Sequence, residues 1–251
     1  MNFAGKSLLV TGAASGIGEA CARRAGECGA KLMLCDIDIE KGEQLCQELN
    51  ALGVECQFHV CNVSSEKDVE TAVRKTVKLF GRLDCAINNA GVTGLPAALD
   101  ETSLETWNTV IAVNMTSVFL CLKYQLRAMK QQGSGSIVNI ASGAGLIGTP
   151  NLAAYCASKH GVLGLTKTAV AENPEGKVRI NAVLPGSTRT PMLEQSMALS
   201  AEVEKMVMAS VPCGRLAEPA EIAETALWLC SDAAAYVNGQ SLIVDNGGLS
   251  R

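Results

Sequence analysis

Short apolar runs alternate with longer stretches in which apolar residues recur every three or four positions, and this alternation continues from end to end of the chain. The short runs predict buried strands over 6–11, 31–35, 54–60, 83–87, 136–141, 177–184 and 241–245. The 3.6-residue period between them predicts helices: one from the glycine loop after Thr11 to about Cys28, then 39–52, one from Ser65 to Gly81, 103–131, 152–172 and 218–230. Ser65-x-x-Asp68 reads as a capping box and Gly81 as a stop, Thr102-x-x-Glu105 as a second cap, and Pro219 suits a first turn. A further helical pattern over 191–211 carries Met192, Met197, Met206 and Met208, which suits either a lid over an apolar substrate or an ordinary amphipathic helix. No linker, repeat or low-complexity tract interrupts the order, so the pattern predicts a single domain over 1–251, an α/β fold with one doubly wound sheet.

Composition narrows the function classes. Of 251 residues 48% are hydrophobic and 18% charged, and the net charge of -4 offers no basic patch for a nucleic acid. No uninterrupted apolar run suits a membrane span, and the first residues lack the pattern of a signal peptide, so a cytoplasmic protein with no membrane partner is expected. Eleven cysteines lie singly without a Cys-x-x-Cys and read as reduced core residues. His59 and His160 are the only histidines and neither has metal-ligand spacing, so no metal site is expected.

The chemistry-bearing residues fall at strand ends and on one helix. Gly12-Ala13-Ala14-Ser15-Gly16-Ile17-Gly18 lies between the first strand and first helix, where glycines let the backbone approach a pyrophosphate and the helix start favours the anion. Asp36, ending the second strand, can accept hydrogen bonds from an adenosine ribose; its charge would repel a 2'-phosphate, which favours NAD over NADP, and neither Ser15 nor Ile37 is an arginine. Asn62 can meet an adenine or close a turn. Asn114 lies within an apolar helical run and needs partners, through a helix irregularity, an interhelical hydrogen bond or a functional role. Ser142 ends the fifth strand, as a turn residue or a pocket group. Tyr155 and Lys159, four apart, share a helix face, and an ammonium beside the phenol would favour the phenolate.

Taken together, Thr11-Gly-x-x-x-Gly16-x-Gly18, Asn88-Asn89-Ala90-Gly91, Asn114, Ser142, Tyr155-x-x-x-Lys159 and Pro185-Gly186 resemble the short-chain dehydrogenase/reductase family over essentially the whole chain. The segments Cys213 to Pro219 and Gly239 to Gly247 are similar too, and Val118 to Gln125 resembles members that oxidise cyclic alcohols or diols. The resemblance implies a Rossmann fold with a seven-stranded parallel sheet flanked by helices, NAD at its carboxyl edge, and hydride transfer between nicotinamide and a secondary alcohol or ketone. It implies Tyr155 as acid and base, Lys159 tuning it and holding the nicotinamide ribose, Ser142 on the substrate oxygen, and Asn114 anchoring a water that relays the proton. Gly12, Gly18, Asp36, Asn62, Val63 and Asn89 would bind the adenosine half, and Ile17, Thr188 and Thr190 the remainder. Ser15, Gly16, Ala90, Gly91, Pro185 and Gly186 complete the expected cofactor site.

Two positions depart from the family: Asn246 replaces a usual glycine, where asparagine tolerates left-handed backbone, and Asn173-Pro174-Glu175-Gly176 is an unusual linker. The family implies a homotetramer, and apolar residues on more than one side of the helices around 115–129 and 153–169 agree with it. A nucleotide-sensing regulator would typically have lost Tyr155 or Lys159. An α/β-hydrolase needs a Gly-x-Ser-x-Gly that is absent, and epimerases of the wider superfamily carry an added domain. Cyclic alcohols or diols, hydroxysteroids, sugars and 3-oxoacyl thioesters stay open as substrates.

Overall fold

The computed structural model describes residues 1–198 and 201–250. Seven parallel strands form one sheet in the order β3-β2-β1-β4-β5-β6-β7: β1 Ser7–Thr11, β2 Lys31–Asp36, β3 Cys56–Val60, β4 Cys85–Asn88, β5 Gly135–Ile140, β6 Val178–Pro185 and β7 Ser241–Val244. The order reverses between β1 and β4, so the loops after these strands open a crevice at the carboxyl edge. Helices α1 Gly16–Glu27, α2 Ile39–Ala51 and α9 Pro219–Cys230 bury Cys21, Leu49 and Leu227 against one face. On the other face lie α3 Glu66–Phe80, α4 Leu104–Ile111, α5 Ser117–Gln132 and α6 Ala153–Ala171, contributing Val69, Leu122 and Val162. Helices α7 Pro191–Met197 and α8 Ala201–Ala209 stand above the carboxyl edge. They occupy the pattern predicted over 191–211, of which Leu199 and Ser200 lie outside the described residues.

Every predicted strand and helix type is observed, and the differences have local causes. Strand β3 starts two residues late because the Val54 amide donates to Leu49 O and closes the end of α2. Strand β4 starts late because the Leu83 backbone bonds the Gln132 side chain instead of a neighbouring strand. Ser65 caps α3 by accepting from the Asp68 amide, but the Asp68 carboxylate turns to the Asn62 amide, so the box is half formed. The cap before α4 is Ser103, which accepts from the Thr106 amide, while Thr102 Oγ1 donates to Ala98 O.

The predicted helix over 103–131 is interrupted by a π-helical segment, Ala112–Thr116, centred on Asn114. Such wide turns insert one extra residue and re-aim the side chains around it. The full stretch Leu104–Gln132 is 29 residues and, by length and composition, long enough to cross a membrane. Here it packs beside α3 and α6. Among the described residues all the cysteines are free and most are buried. Asn246 adopts a left-handed conformation, φ 51°, as its place in the turn required.

Candidate active site

The glycine loop is shaped by contact with the loop after β4. At Gly12 φ is 63°, and a Cβ there would lie 2.8 Å from Ala90 Cα. Asn89 Nδ2 ties the two loops together by donating to Thr11 O at 3.1 Å and Gly12 O at 2.9 Å. Ser15 is the N-cap of α1 but makes no side-chain cap, so the first turn faces the crevice without an internal acceptor. Gly18 sits beneath the loop, where a Cβ would lie only 2.0 Å from Gly12 O. It lets helix and loop touch and does not itself line the crevice.

That crevice is a cleft of about 1030 Å³ running along the carboxyl edge. At one end, Asp36 Oδ2 accepts from the Ala14 amide at 2.9 Å, and Oδ1 from the amides of Ile37 at 2.7 Å and Asp38 at 3.0 Å. These three donors lock the carboxylate and leave acceptor capacity free toward the cleft. Asn62 and Val63 line the same end; Asn62 Oδ1 accepts from the Ser64 amide, so it closes the turn and keeps Nδ2 for another partner. Ala90, Gly91, Pro185, Gly186, Thr188 and Thr190 border the middle. There Thr190 caps α7 and stands against Gly16, whose added Cβ would lie 3.1 Å from Thr190 Cγ2.

Ser142, Tyr155 and Lys159 converge on the cleft. Ser142 follows β5 and its Oγ accepts from the Ala144 amide in a short turn, Gly143–Gly145, on which α6 packs closely. The Ser142 hydroxyl stands beside the Tyr155 phenol and favours its ionised form. Lys159 is 4% exposed; its Nζ donates to Ile140 O at 3.0 Å and lies 5.5 Å from the Tyr155 ring centroid. The acidification of Tyr155 by Lys159 expected from their spacing is not what the fold produces. Burial pushes the phenol above its ordinary value, opposed by the Ser142 hydroxyl, and burial pushes the lysine down to about 8. Desolvation dominates because both groups sit in a wall with no carboxylate beside them.

Asn114 lies one layer below the cleft. Its Oδ1 accepts from the Val92 amide at 2.8 Å, and Nδ2 donates to Val92 O at 2.8 Å and Ser158 Oγ at 3.1 Å. The helix irregularity and the interhelical hydrogen bond are therefore both present. With its amide hydrogens used, any water it anchors is held through Oδ1 or its backbone carbonyl. Gly91 brings the set together, since a Cβ there would lie 3.3 Å from Asn114 Oδ1 and 3.6 Å from Lys159 Nζ. The pattern reading missed a buried network behind this cluster: Asn88 bonds Gln125 and Asn139, and Asn139 bonds Thr166. Its only signal was a set of polar residues inside otherwise apolar strands and helices. The C-terminal turn was also missed as a cleft element: Asp245 accepts from the amides of Gly247 and Leu249, and the Leu249 side chain reaches Gly143.

The residues present fit a dinucleotide. A glycine cradle that a Cβ would fill, an uncapped helix start and a fixed carboxylate lie along one cleft in the order that a pyrophosphate and its adenosine require. Fold and site together define an oxidoreductase of the Rossmann type that uses a nicotinamide cofactor. A family model described as enoyl-(acyl carrier protein) reductase matches residues 12–249. A 2,5-dichloro-2,5-cyclohexadiene-1,4-diol dehydrogenase of Sphingobium indicum is 42% identical over 98% of this chain and 98% of its own. A cyclohexanol dehydrogenase of an Acinetobacter species is 39% identical over 99% of this chain and 97% of its own. The crystal structure of levodione reductase superposes with a TM-score of 0.94 at 38% identity, covering 100% of both chains. The chain belongs to the short-chain dehydrogenase/reductase family and is an alcohol/ketone oxidoreductase.

Proposed function

We propose that this protein is a single-domain, NAD-preferring dehydrogenase that interconverts a secondary alcohol and its ketone, with Tyr155 as the proton-transferring residue. The observation that carries the reading is the convergence of Ser142, Tyr155 and Lys159 on the cleft that the glycine loop opens. The nicotinamide, when bound, supplies the hydride acceptor or donor and, when oxidised, a positive charge. In oxidation the carbinol C–H pair leaves as hydride and the O–H proton passes to Tyr155; in reduction both return. Ser142 holds the substrate oxygen while charge develops on it. Lys159, which burial lowers to about 8, gives its proton up to solvent more readily than a solvated lysine and is refilled from the phenol, so it couples Tyr155 to solvent near neutral pH. Asn114 holds the relaying water on the far side of Lys159. The family's remaining cofactor contacts are assigned to Gly12, Ser15, Gly16, Ile17, Asp36, Asn62, Val63, Asn89 and the segment from Pro185 to Thr190.

Preference for NAD is supported by the Asp36 carboxylate, which the amides of Ala14, Ile37 and Asp38 hold at the adenosine end. A 2'-phosphate there would meet like charge. A homotetramer is supported by two separate patches of exposed apolar side chains. Leu104, Trp107 and Phe119 lie on α4 and α5, and Trp228, Tyr236 and Ile243 around α9 and β7. Two distinct self-complementary faces on one chain generate a dihedral tetramer. Unpaired thiols throughout fit a reducing cytoplasm. Formation of reduced nicotinamide, followed by absorbance with NAD and with NADP across secondary alcohols, tests the reading. No turnover of any alcohol or ketone with either cofactor would overturn it.

A further inference from the structure

The loop between Ser142 and Tyr155 forms one wall of the cleft and is held at few points. Ile147, Gly148, Thr149 and Pro150 line the cleft. Leu146 and Ile147 are 46% and 51% exposed, and a Cβ added at Gly148 would meet nothing within 4 Å, so packing alone does not fix the segment. Its two ends are fixed. At the first, the Leu146 and Ile147 amides donate to Gly143 O in the short turn after Ser142. At the second, Asn151 adopts a left-handed backbone, φ 63°, its carbonyl accepts from the Ala97 amide at 3.0 Å, and Leu152 pairs with Ala97 in an isolated parallel bridge. Among the described residues, Gly148 and Pro150 between these ends make no backbone hydrogen bond.

Thr149 is tied down through Cys156. Its amide donates to Cys156 Sγ at 3.2 Å, and the thiol reaches back to Thr149 O at 3.9 Å, the same carbonyl on which the Leu152 amide closes a turn at 3.2 Å. Cys156 stands next to Tyr155 at the start of α6, is part-buried where most of the other thiols are core residues, and does not itself line the cleft. The N-cap of α6, Leu152, offers no side-chain acceptor, so this sulfur is the side-chain group that couples the loop to the helix carrying Tyr155 and Lys159. The loop follows β5, three strands across the sheet from β2 and Asp36. At a strand spacing of ~4.8 Å that is roughly 14 Å from the adenosine end. It runs instead between the two groups that address the substrate oxygen, so its wall faces the substrate.

We propose that Cys156 is a positioning residue: its sulfur pins Thr149 and thereby sets the wall from Ile147 to Pro150 against which the carbon skeleton of the substrate rests. The proposal rests on the oxidoreductase reading above and deepens it by assigning a residue that touches neither substrate nor cofactor. With the pin in place the loop is ordered before the substrate arrives. Without it, a substrate large enough to meet the loop must order it on binding and binds more weakly, while the proton transfer at Tyr155 is unchanged.

Wild type, Cys156→Ala and Cys156→Ser are compared with NAD on cyclohexanol, whose ring extends past the carbinol carbon, and on propan-2-ol, which presents the same carbinol with methyl groups alone. Serine keeps a donor and an acceptor at the position, and alanine keeps neither. In Cys156→Ala, KM for cyclohexanol is expected to rise about fivefold, the worth of one hydrogen bond, with kcat and NAD affinity unchanged within about twofold. The pH profile of kcat stays in place. KM for propan-2-ol stays within about twofold of wild type, and Cys156→Ser lies nearer wild type than alanine does. An unmoved cyclohexanol KM in a folded Cys156→Ala protein overturns the proposal, as does a serine variant no better than alanine. An equal rise for both alcohols or a displaced pH profile also overturns it, since either puts the effect of the sulfur on the neighbouring Tyr155. If the alanine variant fails to fold, or cyclohexanol is not turned over, residue-resolved hydrogen exchange of the wild type decides. The Thr149 amide should then exchange roughly tenfold more slowly than that of Gly148, after correction for intrinsic rates, and equal rates overturn the proposal. Turnover of no alcohol or ketone with either nicotinamide sinks the oxidoreductase reading and this proposal with it, whereas the other adverse outcomes sink this proposal alone.

Discussion

Replacing Lys159 by methionine should abolish turnover and yet make the folded protein more stable at neutral pH. The ammonium is 4% exposed, its one hydrogen bond goes to Ile140 O, and burial alone lowers its pKa from 10.5 to about 8. At ~1.4 kcal/mol per unit, holding the charged form in this wall costs the folded state about 3 kcal/mol. Methionine has similar length and no charge to desolvate, but it leaves Ile140 O without that donor, which costs about 1 kcal/mol. The net expectation is a gain of about 2 kcal/mol at pH 7. Between pH 8 and 10.5 the unfolded chain binds the proton that the folded chain has released. Wild-type stability therefore rises across that window relative to the variant, and the advantage of methionine disappears by its upper end. Denaturant unfolding of both proteins at one concentration, from pH 6 to pH 10.5, reads this directly. A variant less stable than wild type at pH 7, by a margin that does not change with pH, would refute the account of Lys159 as an uncompensated buried charge.

Three further outcomes follow from the geometry. Tyr155→Phe removes only the proton-transferring oxygen, so turnover should fall by roughly 10²–10⁴ while NAD still quenches tryptophan fluorescence with similar affinity; near-normal turnover would remove Tyr155 from the chemistry. Asp36→Asn keeps the shape of the adenosine end but removes its charge. The preference for NAD over NADP in dissociation constant should then shrink by roughly tenfold, and an unchanged ratio counts against the carboxylate as the selector. Gly18→Ala places a methyl 2.0 Å from Gly12 O, so helix α1 must move off the glycine loop. A loss of roughly 1–3 kcal/mol in unfolding free energy, with weaker NAD binding, is expected, and full retention of both would show that the close approach is dispensable.

The alternation of apolar runs with 3.6-residue periods was enough to determine the element order, because each period reports which faces a segment buries whatever its neighbours are. It placed Gly12, Asp36, Ser142 and Tyr155 at strand ends and on one helix, and the spacing of these motifs was specific enough for the family. What it could not supply is anything set by contact between distant segments. The π-helical turn at Asn114 depends on Val92 and Ser158, which meet it only in the folded chain. The proton affinity of Tyr155 came out opposite to a reading of the pair alone, and that of Lys159 fell, because desolvation is a property of everything packed around them. Arg215 and Glu221 are six residues apart, and nothing in one dimension pairs them. Only the tertiary structure pairs them, at the exposed rim of the cleft, since the electrostatics of a site depend on which partners each charge has already found.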